Sequence, residues 1–317
     1  MAGAGFRTAG FKGYSVQFSP FSDQLLASAG SANFGLVGNG RLSILSPQGK
    51  GGLVPRQQYD TQDGLFDVAW SEVHENQLVT ASGDGSIKLW DITLGNLPVA
   101  KWHEHQREAM SVEWNFTMKT MFLSTSWDGS AKLWDPQRPQ SLRTFSEHTG
   151  CVYAGAWSPR VPDQFATCGE DKTVKLWSAK EPHGQPVASF AGHMDQVLSL
   201  DWNKYAPEQF ATSSVDRTIK LWDIRNPRGQ VAMFGPFEFS VRRVKFSPFS
   251  PHYLATAGYD MSASVWDTRN GSVVFVHDAH REFVFGIDWS LFHPGTMATC
   301  GWDEQIHTFE VPVPNRP

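Results

Sequence analysis

Carboxylate, imidazole, hydroxyl and aromatic side chains recur along this chain at nearly constant spacing. In six places an aspartate is followed six residues later by an aromatic residue, and consecutive aspartates are 43 to 45 residues apart. The pairs are Asp84/Trp90, Asp128/Trp134, Asp171/Trp177, Asp216/Trp222, Asp260/Trp266 and Asp303/Phe309. Because imidazole, hydroxyl and carboxylate groups perform acid–base and nucleophilic chemistry, a catalytic site is one interpretation of the pattern.

The repetition itself favours a structural role for these residues. Four histidines stand nine residues before a tryptophan, namely His105, His148, His193 and His280. A buried aspartate requires hydrogen-bond donors. Several units combine such a histidine with hydroxyl residues, the aspartate and a tryptophan. An enzyme needs one such set, whereas several copies are expected of a buried network inside each repeat unit.

No other group of residues forms a catalytic or metal-binding set. The fragment His103-Glu104-His105 resembles part of a metal site, but neighbouring histidines without further ligands are a weak signal. His105 also belongs already to a repeat unit. No nucleophile, base and orienting residue stand out together. We predict no catalytic, cofactor-binding or metal-binding residues, and hence a protein that is not an enzyme.

The elements that position the repeated residues are short β-strands. Each copy, such as FATSSVDRTIKLWD, starts with small and apolar residues, turns at the aspartate and continues as an alternating strand. This pattern is typical of a β-hairpin. Another alternating strand precedes each hairpin, as in LDW at 200–202. A regular period of this length indicates a series of equivalent all-β units.

The first and last units are both irregular. Residues 16–20, 26–30 and 40–45 match the first three strands of a unit, with Asn39 where the other units have aspartate. The last unit stops after its third strand, at Phe309. Since a closed ring then needs a borrowed strand, we predict that residues around Phe6–Phe11 form the outer strand of the last unit.

Composition and charge argue against several classes of protein. The net charge of −5 provides no general attraction to nucleic acid or to an anionic membrane. No apolar run approaches the length of a membrane-spanning helix, and the start lacks the apolar core of a secretion signal. Three cysteines without metal-ligand spacing fit a reducing compartment. We therefore expect an intracellular protein whose sequons at Asn115 and Asn270 are not glycosylated.

One end of the units is predicted to be acidic and aromatic. In a four-stranded antiparallel unit, the loop that enters it and the turn between its second and third strands lie at the same end. In these segments acids outnumber bases by eleven to six once the repeated aspartates are set aside. Acids beside large aromatic residues predict a site for a basic, amphipathic peptide. The alternative is that the acids form a solvated rim and the aromatic residues pack between units.

The hairpins that end in Trp-Asp and follow a histidine resemble the WD-repeat family over the whole chain. The resemblance implies an all-β, seven-bladed WD-repeat β-propeller, closed by an N-terminal strand in the last blade. It also implies a structural hydrogen-bond network, which the fifth unit carries as His193, Ser213, Asp216 and Trp222. We expect a single domain over residues 1–317. The expected blades are approximately 12–57, 58–101, 102–145, 146–190, 191–234, 235–276, and 277–311 plus 5–11.

Five segments resemble one branch of that family, the peroxin-7 receptors for the type 2 peroxisomal targeting signal. They are GYSVQFSPF (13–21), NFGLVGNGRLSIL (33–45), DGLFDVAWSE (63–72), VRRVKFSPF (241–249) and GYDMSASVWD (258–267). The sixth unit also has Phe237 in place of histidine. The resemblance implies a cytosolic receptor that shuttles to the peroxisome. It also implies a co-receptor of the peroxin-5 type or its fungal counterpart, a peroxisomal docking complex, and no membrane span or nucleic acid.

The ligand implied by this resemblance is an N-terminal nonapeptide of a cargo protein, bound as an amphipathic helix. It begins with Arg or Lys plus an aliphatic residue and ends with His or Gln plus Leu or Ala. On the acidic end of the units, three acids are expected to meet the basic ends of the helix and four aromatic residues its apolar stripe. These residues are Asp63, Glu108, Glu238, Trp127, Tyr259, Phe283 and Trp302.

A second function class comes from two consecutive WDxR boxes. Trp222-Asp223-Ile224-Arg225 and Trp266-Asp267-Thr268-Arg269 are similar to those of substrate receptors in cullin-4 ubiquitin ligases. The structural alternative is that each arginine stabilises a turn on the face opposite the acidic and aromatic end of the units. Co-purification of the ligase adaptor, lost when Arg225 and Arg269 are replaced, would favour the ligase.

Overall fold

The computed structural model describes residues 4–32, 38–48 and 52–312. Within these ranges the chain forms twenty-eight β-strands, which assemble into seven four-stranded antiparallel sheets. No helix in the described part of the chain is long and apolar enough to cross a membrane. Residues 33–37, the first five of NFGLVGNGRLSIL, lie outside the described ranges.

Each sheet is one blade, with strands a to d in order from the first to the outermost. Blade 1 contains β2 (Lys12–Phe18), β3 (Leu26–Ala32), β4 (Asn39–Gln48) and β5 (Gly52–Thr61). Blade 2 contains β6 (Leu65–Trp70), β7 (Gln77–Ser82), β8 (Ser86–Asp91) and β9 (Ala100–His103). Blade 3 contains β10 (Ala109–Trp114), β11 (Phe122–Ser126), β12 (Ala131–Trp134) and β13 (Arg143–Phe145). Blade 4 contains β14 (Val152–Trp157), β15 (Gln164–Gly169), β16 (Thr173–Ser178) and β17 (Ala188–Ala191).

The last three blades repeat this order, except that the outer strand of blade 7 comes from the start of the chain. Blade 5 contains β18 (Val197–Trp202), β19 (Gln209–Ser214), β20 (Ile219–Asp223) and β21 (Ala232–Phe234). Blade 6 contains β22 (Val241–Phe246), β23 (Tyr253–Gly258), β24 (Ala263–Asp267) and β25 (Ser272–His277). Blade 7 contains β26 (Val284–Trp289), β27 (Thr296–Gly301), β28 (Gln305–Glu310) and β1 (Ala4–Arg7).

Side chains on the a strands bind the neighbouring blades together around a central channel. In four places the last aromatic residue of an a strand donates its backbone N–H to a side chain of the preceding blade. These bonds are Trp70 to Gln17 (2.8 Å), Trp157 to Glu113 (2.6 Å), Phe246 to Asp201 (2.6 Å) and Phe18 to Asp288 (2.9 Å). Since the last of them joins blade 1 to blade 7, the ring is closed. The predicted all-β, seven-bladed propeller is confirmed.

The N-terminal strand closes blade 7 as predicted, but it is shorter and lies earlier in the chain. β1 pairs antiparallel with β28, and Gly5 stands opposite His307. Residues 8–11 form a turn instead, in which the Phe11 N–H donates to the Thr8 carbonyl (2.8 Å) and the Thr8 hydroxyl donates to the Phe11 carbonyl (2.7 Å). The chain must reverse there before it enters β2, and Gly10 supports the turn with a φ of 84°.

The repeated aspartate, histidine and tryptophan form a buried network, whose hydroxyl was assigned wrongly from the sequence. In blade 5, His193 Nδ1 lies 2.8 Å from Asp216 Oδ2, and Nε2 lies 2.7 Å from Thr212 Oγ1. The Trp222 indole donates to the same hydroxyl over 2.8 Å. Ser213 Oγ is buried and finds no hydrogen-bond partner within the described ranges. Because adjacent residues of a strand point to opposite faces, Thr212 and not Ser213 faces the imidazole.

The Thr212→Val variant should be less stable than the Ser213→Ala variant. Valine preserves the shape of threonine but removes the hydroxyl, so the His193 and Trp222 ring nitrogens lose a buried partner, at a cost of about 1–3 kcal/mol. Alanine at 213 removes a hydroxyl that already lacks a partner, so we expect a change below about 1 kcal/mol. Urea unfolding of both variants measures the difference. The opposite order would return Ser213 to the network.

Blades 1, 2, 6 and 7 depart from this network, and blade 1 has Asn39 in place of the aspartate. In blade 2, Asp84 is held by two lysines, with Lys101 Nζ at 3.1 Å and Lys88 Nζ at 3.6 Å. In blade 6, Phe237 replaces the histidine and packs on Trp266 with ring centroids 5.1 Å apart. Blade 7 keeps its histidine and aspartate, but Phe309 cannot donate the indole hydrogen bond.

Candidate peptide-binding face

A β-bulge in every a strand changes the direction of one side chain near the top of the channel, the end at which the loops entering the blades and the b–c turns lie. In each of the seven blades, the pairing of strand a with strand b skips one residue of strand a. The skipped residues are Tyr14, Phe66, Met110, Tyr153, Leu198, Arg242 and Phe285. Bulges commonly change the direction of a side chain beside a functional site. Here they place large side chains at the start of each a strand, on the face predicted to bind peptide.

The bulged residues and the predicted aromatic residues form one apolar cluster, the top cluster. Four bulged residues are its buried members, and four aromatic residues from the entry loops and b–c turns pack against them while staying partly exposed. Its members are Tyr14, Phe66, Met110 and Phe285, with Trp127, Tyr259, Phe283 and Trp302. The structure thus brings together all four aromatic residues proposed from the sequence.

Trp302 lies at the centre of the best-connected part of the top cluster. Its ring centroid is 4.9 Å from that of Phe285, 5.6 Å from that of Phe283 and 5.8 Å from that of Tyr14. Lys12 Nζ lies 4.6 Å from the Trp302 ring centroid. The Trp302 indole N–H is buried and has no acceptor in the described part of the chain. A bound ligand could supply that acceptor.

Two of the three predicted acids lie close together. Burial raises the pKa of Asp63, and the carboxylates of Asp84 and Glu108 raise it further. Glu108 is half-buried, and the Arg107 guanidinium lies 3.7 Å from its carboxylate. Asp63 and Glu108 therefore interact electrostatically, and we call them the acidic pair.

Glu238 does not join the acidic pair. It is exposed on the loop that enters blade 6. Within the described ranges it belongs neither to the top cluster nor to the groups that shift the pKa of Asp63. In the ring of seven blades, blade 6 lies three blades away from both blade 2 and blade 3, so Glu238 stands on the other side of the face.

An ion pair across the channel lies beside the top cluster. Arg243 of blade 6 donates to Asp67 of blade 2, with Nη1 3.2 Å from Oδ1, and Nη1 also donates to Ser15 Oγ over 3.2 Å. Its neighbour Arg242 lies 5.2 Å from the Phe285 ring centroid and donates to the Leu198 carbonyl over 3.2 Å. These contacts fix the floor beneath the aromatic residues.

Below this floor, the channel carries three acids around one lysine. Burial raises the pKa of Glu113 to about 7, although the ammonium of Lys245 opposes this. Burial likewise raises the pKa of Asp288, while the acids Asp201, Glu113 and Asp288 raise that of Lys245. Since three carboxyl groups share one ammonium, the charge of Glu113 is incompletely compensated near neutral pH.

The Glu113→Gln variant should be more stable than the parent protein above pH 7. A carboxyl whose pKa is raised on folding keeps its proton more tightly in the folded state, so its contribution falls as pH rises from about 4.5 to about 7. Glutamine can still accept from the Trp157 N–H, as Gln17 accepts from Trp70 at the equivalent position in blade 1. We expect a gain on the order of 1 kcal/mol at pH 8 that disappears at pH 5. Thermal unfolding at both pH values measures it, and an equal effect at both would contradict the titration of Glu113.

The sequence interpretation missed the bulged residues. Each stands four positions before the last aromatic residue of its a strand, as Phe285 stands before Trp289. An alternating strand would direct that residue to the same face as the aromatic residue, so the pattern alone places it in the core. An alignment of the seven a strands, which shows Tyr, Phe, Met, Leu or Arg at this position, was the available signal.

The arginines of the two WDxR boxes bind their own aspartates. Arg225 Nη2 lies 2.5 Å from Asp223 Oδ2, and Arg269 Nη2 lies 2.6 Å from Asp267 Oδ2. In both cases the backbone N–H of the arginine donates to the same aspartate, which closes a turn after strand c. A structural role thus accounts for both boxes without a ligase adaptor.

Known proteins match the chain over nearly its full length. A family model described as WD domain, G-beta repeat matches residues 54–91, 96–135, 139–178, 184–223 and 230–267. The chain is 38% identical to the Peroxisomal targeting signal 2 receptor of Komagataella phaffii, over 96% of this chain and 98% of that protein. It is 38% identical to the mouse protein of that name, over 96% and 95%. Identity to Peroxisome biogenesis protein 7 of Arabidopsis thaliana is 43%, over 95% of each chain.

The comparisons with known proteins and the observed fold indicate the same family. The relatives are more than 30% identical over almost the whole of both chains, and the chain forms the propeller that the repeat model describes. The chain therefore belongs to the family of peroxisomal targeting signal 2 receptors, which are WD-repeat proteins.

Proposed function

We propose that the top face binds the N-terminal type 2 peroxisomal targeting signal of cargo proteins. The observation that carries this proposal is the placement of the acidic pair, Asp63 and Glu108, on the face that holds the top cluster. A basic, amphipathic helix presents cationic and apolar side chains on one side, and this face offers both complements. The names of the relatives support the same ligand.

The signal would lie across the channel mouth as a short helix. Nine helical residues span about 13 Å, enough to reach from blades 2 and 3 towards blade 7. The basic residue at one end would meet the acidic pair, and the apolar stripe would pack on Trp127, Tyr259, Phe283 and Trp302. Glu238 would act as a more distant acid for the other end of the peptide. The indole N–H of Trp302 would donate to a polar group of the ligand.

A co-receptor would complete the complex. A helix laid on an open face keeps its other side in water, so a second protein of the peroxin-5 type or its fungal counterpart could cover it. Exposed apolar side chains around the face, Met194 and Phe239, offer contacts for such a protein. The receptor would bind cargo in the cytosol and deliver it to the peroxisomal docking complex. The propeller fold and the receptor family favour a role without catalysis.

Direct peptide binding tests the proposal. Fluorescence anisotropy with a labelled type 2 nonapeptide should show saturable binding that tightens when co-receptor is added. A peptide of the same composition in scrambled order removes the amphipathic stripe and should bind more weakly. A third peptide with its first basic residue changed to glutamate should bind weakly because it meets the acidic pair. Equal binding of all three peptides would refute the proposal.

A further inference from the structure

The network histidine of blade 7, His280, has unusual neighbours at two positions. Trp102, Phe145 and Phe190 stand three residues before the network histidines of blades 3, 4 and 5, whereas His277, the last residue of strand d in blade 6, stands three residues before His280. Four residues after the network aspartate, blades 2 to 5 carry Lys88, Lys132, Lys175 and Lys220, whereas blade 7 has His307. Two independent replacements thus create a cluster of three histidines.

The three imidazoles are close enough to share a ligand. His277 Nε2 lies 3.0 Å from His307 Nδ1, and the rings of His280 and His307 have centroids 4.4 Å apart. One nitrogen from each ring lies within 4.8 Å of the others. His277 and His280 are buried, and His277 is stacked on Phe309 with centroids 4.0 Å apart. The side chains are therefore held in place by packing.

We propose that His277, His280 and His307 bind one divalent transition-metal ion of the zinc class. Zinc binds imidazole nitrogen at about 2.0–2.1 Å, so two nitrogens on one tetrahedral ion are about 3.3 Å apart, close to the observed pair. A set of nitrogen ligands favours zinc, copper or nickel over magnesium and calcium, which prefer oxygen. The fourth position would be taken by water.

His280 must give up one network hydrogen bond to join the ion, and blade 7 makes that exchange easier. Its Nδ1 faces Asp303 at 3.0 Å and its Nε2 faces Thr299 Oγ1 at 2.9 Å. In blades 2 to 6 a tryptophan indole also donates to the equivalent hydroxyl. Phe309 lacks that N–H, so Thr299 is held by fewer partners than its counterparts.

A bound ion would link two blades beside the seam where the ring closes. His277 ends strand d of blade 6, and His307 lies on strand c of blade 7. The outer strand β1 packs directly against His307, since a methyl group placed on Gly5 would lie 3.2 Å from the imidazole Cδ2. Binding to the folded state alone would therefore raise the Tm of the propeller.

Metal titration of the untagged full chain, stripped with a chelator, tests this site. Isothermal titration with Zn²⁺ should show one equivalent bound, and Mg²⁺ should show none. Co²⁺ should give the intense visible absorption of a four-coordinate site. His277→Phe and His307→Lys introduce the residue types of Phe190 and Lys220, which stand at the same positions relative to the network residues His193 and Asp216, so both variants should fold. Each should lose the one-equivalent binding and the rise in Tm on adding Zn²⁺.

The matched control is Cys151→Ser, because Cys151 is the one cysteine of the described ranges that is not buried. It should bind Zn²⁺ as the parent does. Binding that survives in His277→Phe or His307→Lys, or that is lost in Cys151→Ser, would overturn the assignment. The absence of one-equivalent binding in the parent protein would do the same. Peptide binding is not part of this test, so its outcome is independent of the proposed receptor function.

Discussion

Reversing the charge of Glu108 with a Glu108→Arg substitution should weaken binding of a type 2 signal peptide by about 100-fold. The carboxylate of Glu108 raises the pKa of Asp63, so the two groups act on the same region of the face. An arginine there removes one attractive charge and places a like charge against the basic end of the peptide, and like charges across an interface cost several kcal/mol. Fluorescence anisotropy at fixed ionic strength measures the Kd.

Two further charge reversals make this result specific. Glu75→Arg alters an exposed acid on the loop between strands a and b, at the opposite end of the blades, and should leave the Kd within about twofold. Glu238→Arg alters an acid of the same face that lies apart from the acidic pair, and should have an intermediate effect. Undiminished binding by Glu108→Arg, or an equal loss in all three variants, would remove Glu108 from the site.

The propeller could be predicted from the sequence because its signal is repeated. Each blade needs the same buried aspartate, turn and aromatic residue, so six imperfect copies specify the period. Two details were predicted wrongly because the repeat does not specify them. One is a choice between two adjacent residues, and the other is a local geometry that occurs once in the chain. Thr212 and Ser213 are adjacent hydroxyls, and only the direction of the strand distinguishes them. The closing strand shifted to Ala4–Arg7 because a turn at residues 8–11 precedes β2.

The candidate site could be predicted only in part, for a related reason. Topology assigns loops to a face, and this was enough to bring Trp127, Tyr259, Phe283 and Trp302 into one cluster. It does not give positions around the ring, so the position of Glu238 relative to Asp63 and Glu108 could not be predicted. The bulged residues were missed because a bulge breaks the alternation on which the interpretation relied. The histidine cluster was missed because His277 and His307 are 30 residues apart in sequence and converge only across two blades.

Breaking the ion pair across the channel with an Arg243→Ser substitution should destabilise the propeller by about 3 kcal/mol. The substitution leaves the Asp67 carboxylate buried while it still accepts from the Val112 N–H, and an uncompensated buried charge costs about 3–5 kcal/mol. We expect the lower end because the Arg243 side chain is 17% exposed. Urea unfolding at pH 7 measures the change.

The double variant Arg243→Ser/Asp67→Ser separates the charge from the packing. Blades 1, 3 and 5 have serine at this position, and Ser199 of blade 5 accepts the Val244 N–H as Asp67 accepts that of Val112. Removing both charges should therefore recover much of the stability lost in the single variant. If the double variant is as unstable as the sum of its two single variants, the ion pair stabilises by packing and not by charge compensation. The affinity for the signal peptide should change in parallel with stability. Arg243→Ser weakens the floor beneath the aromatic residues and should lower this affinity, and the double variant should restore it.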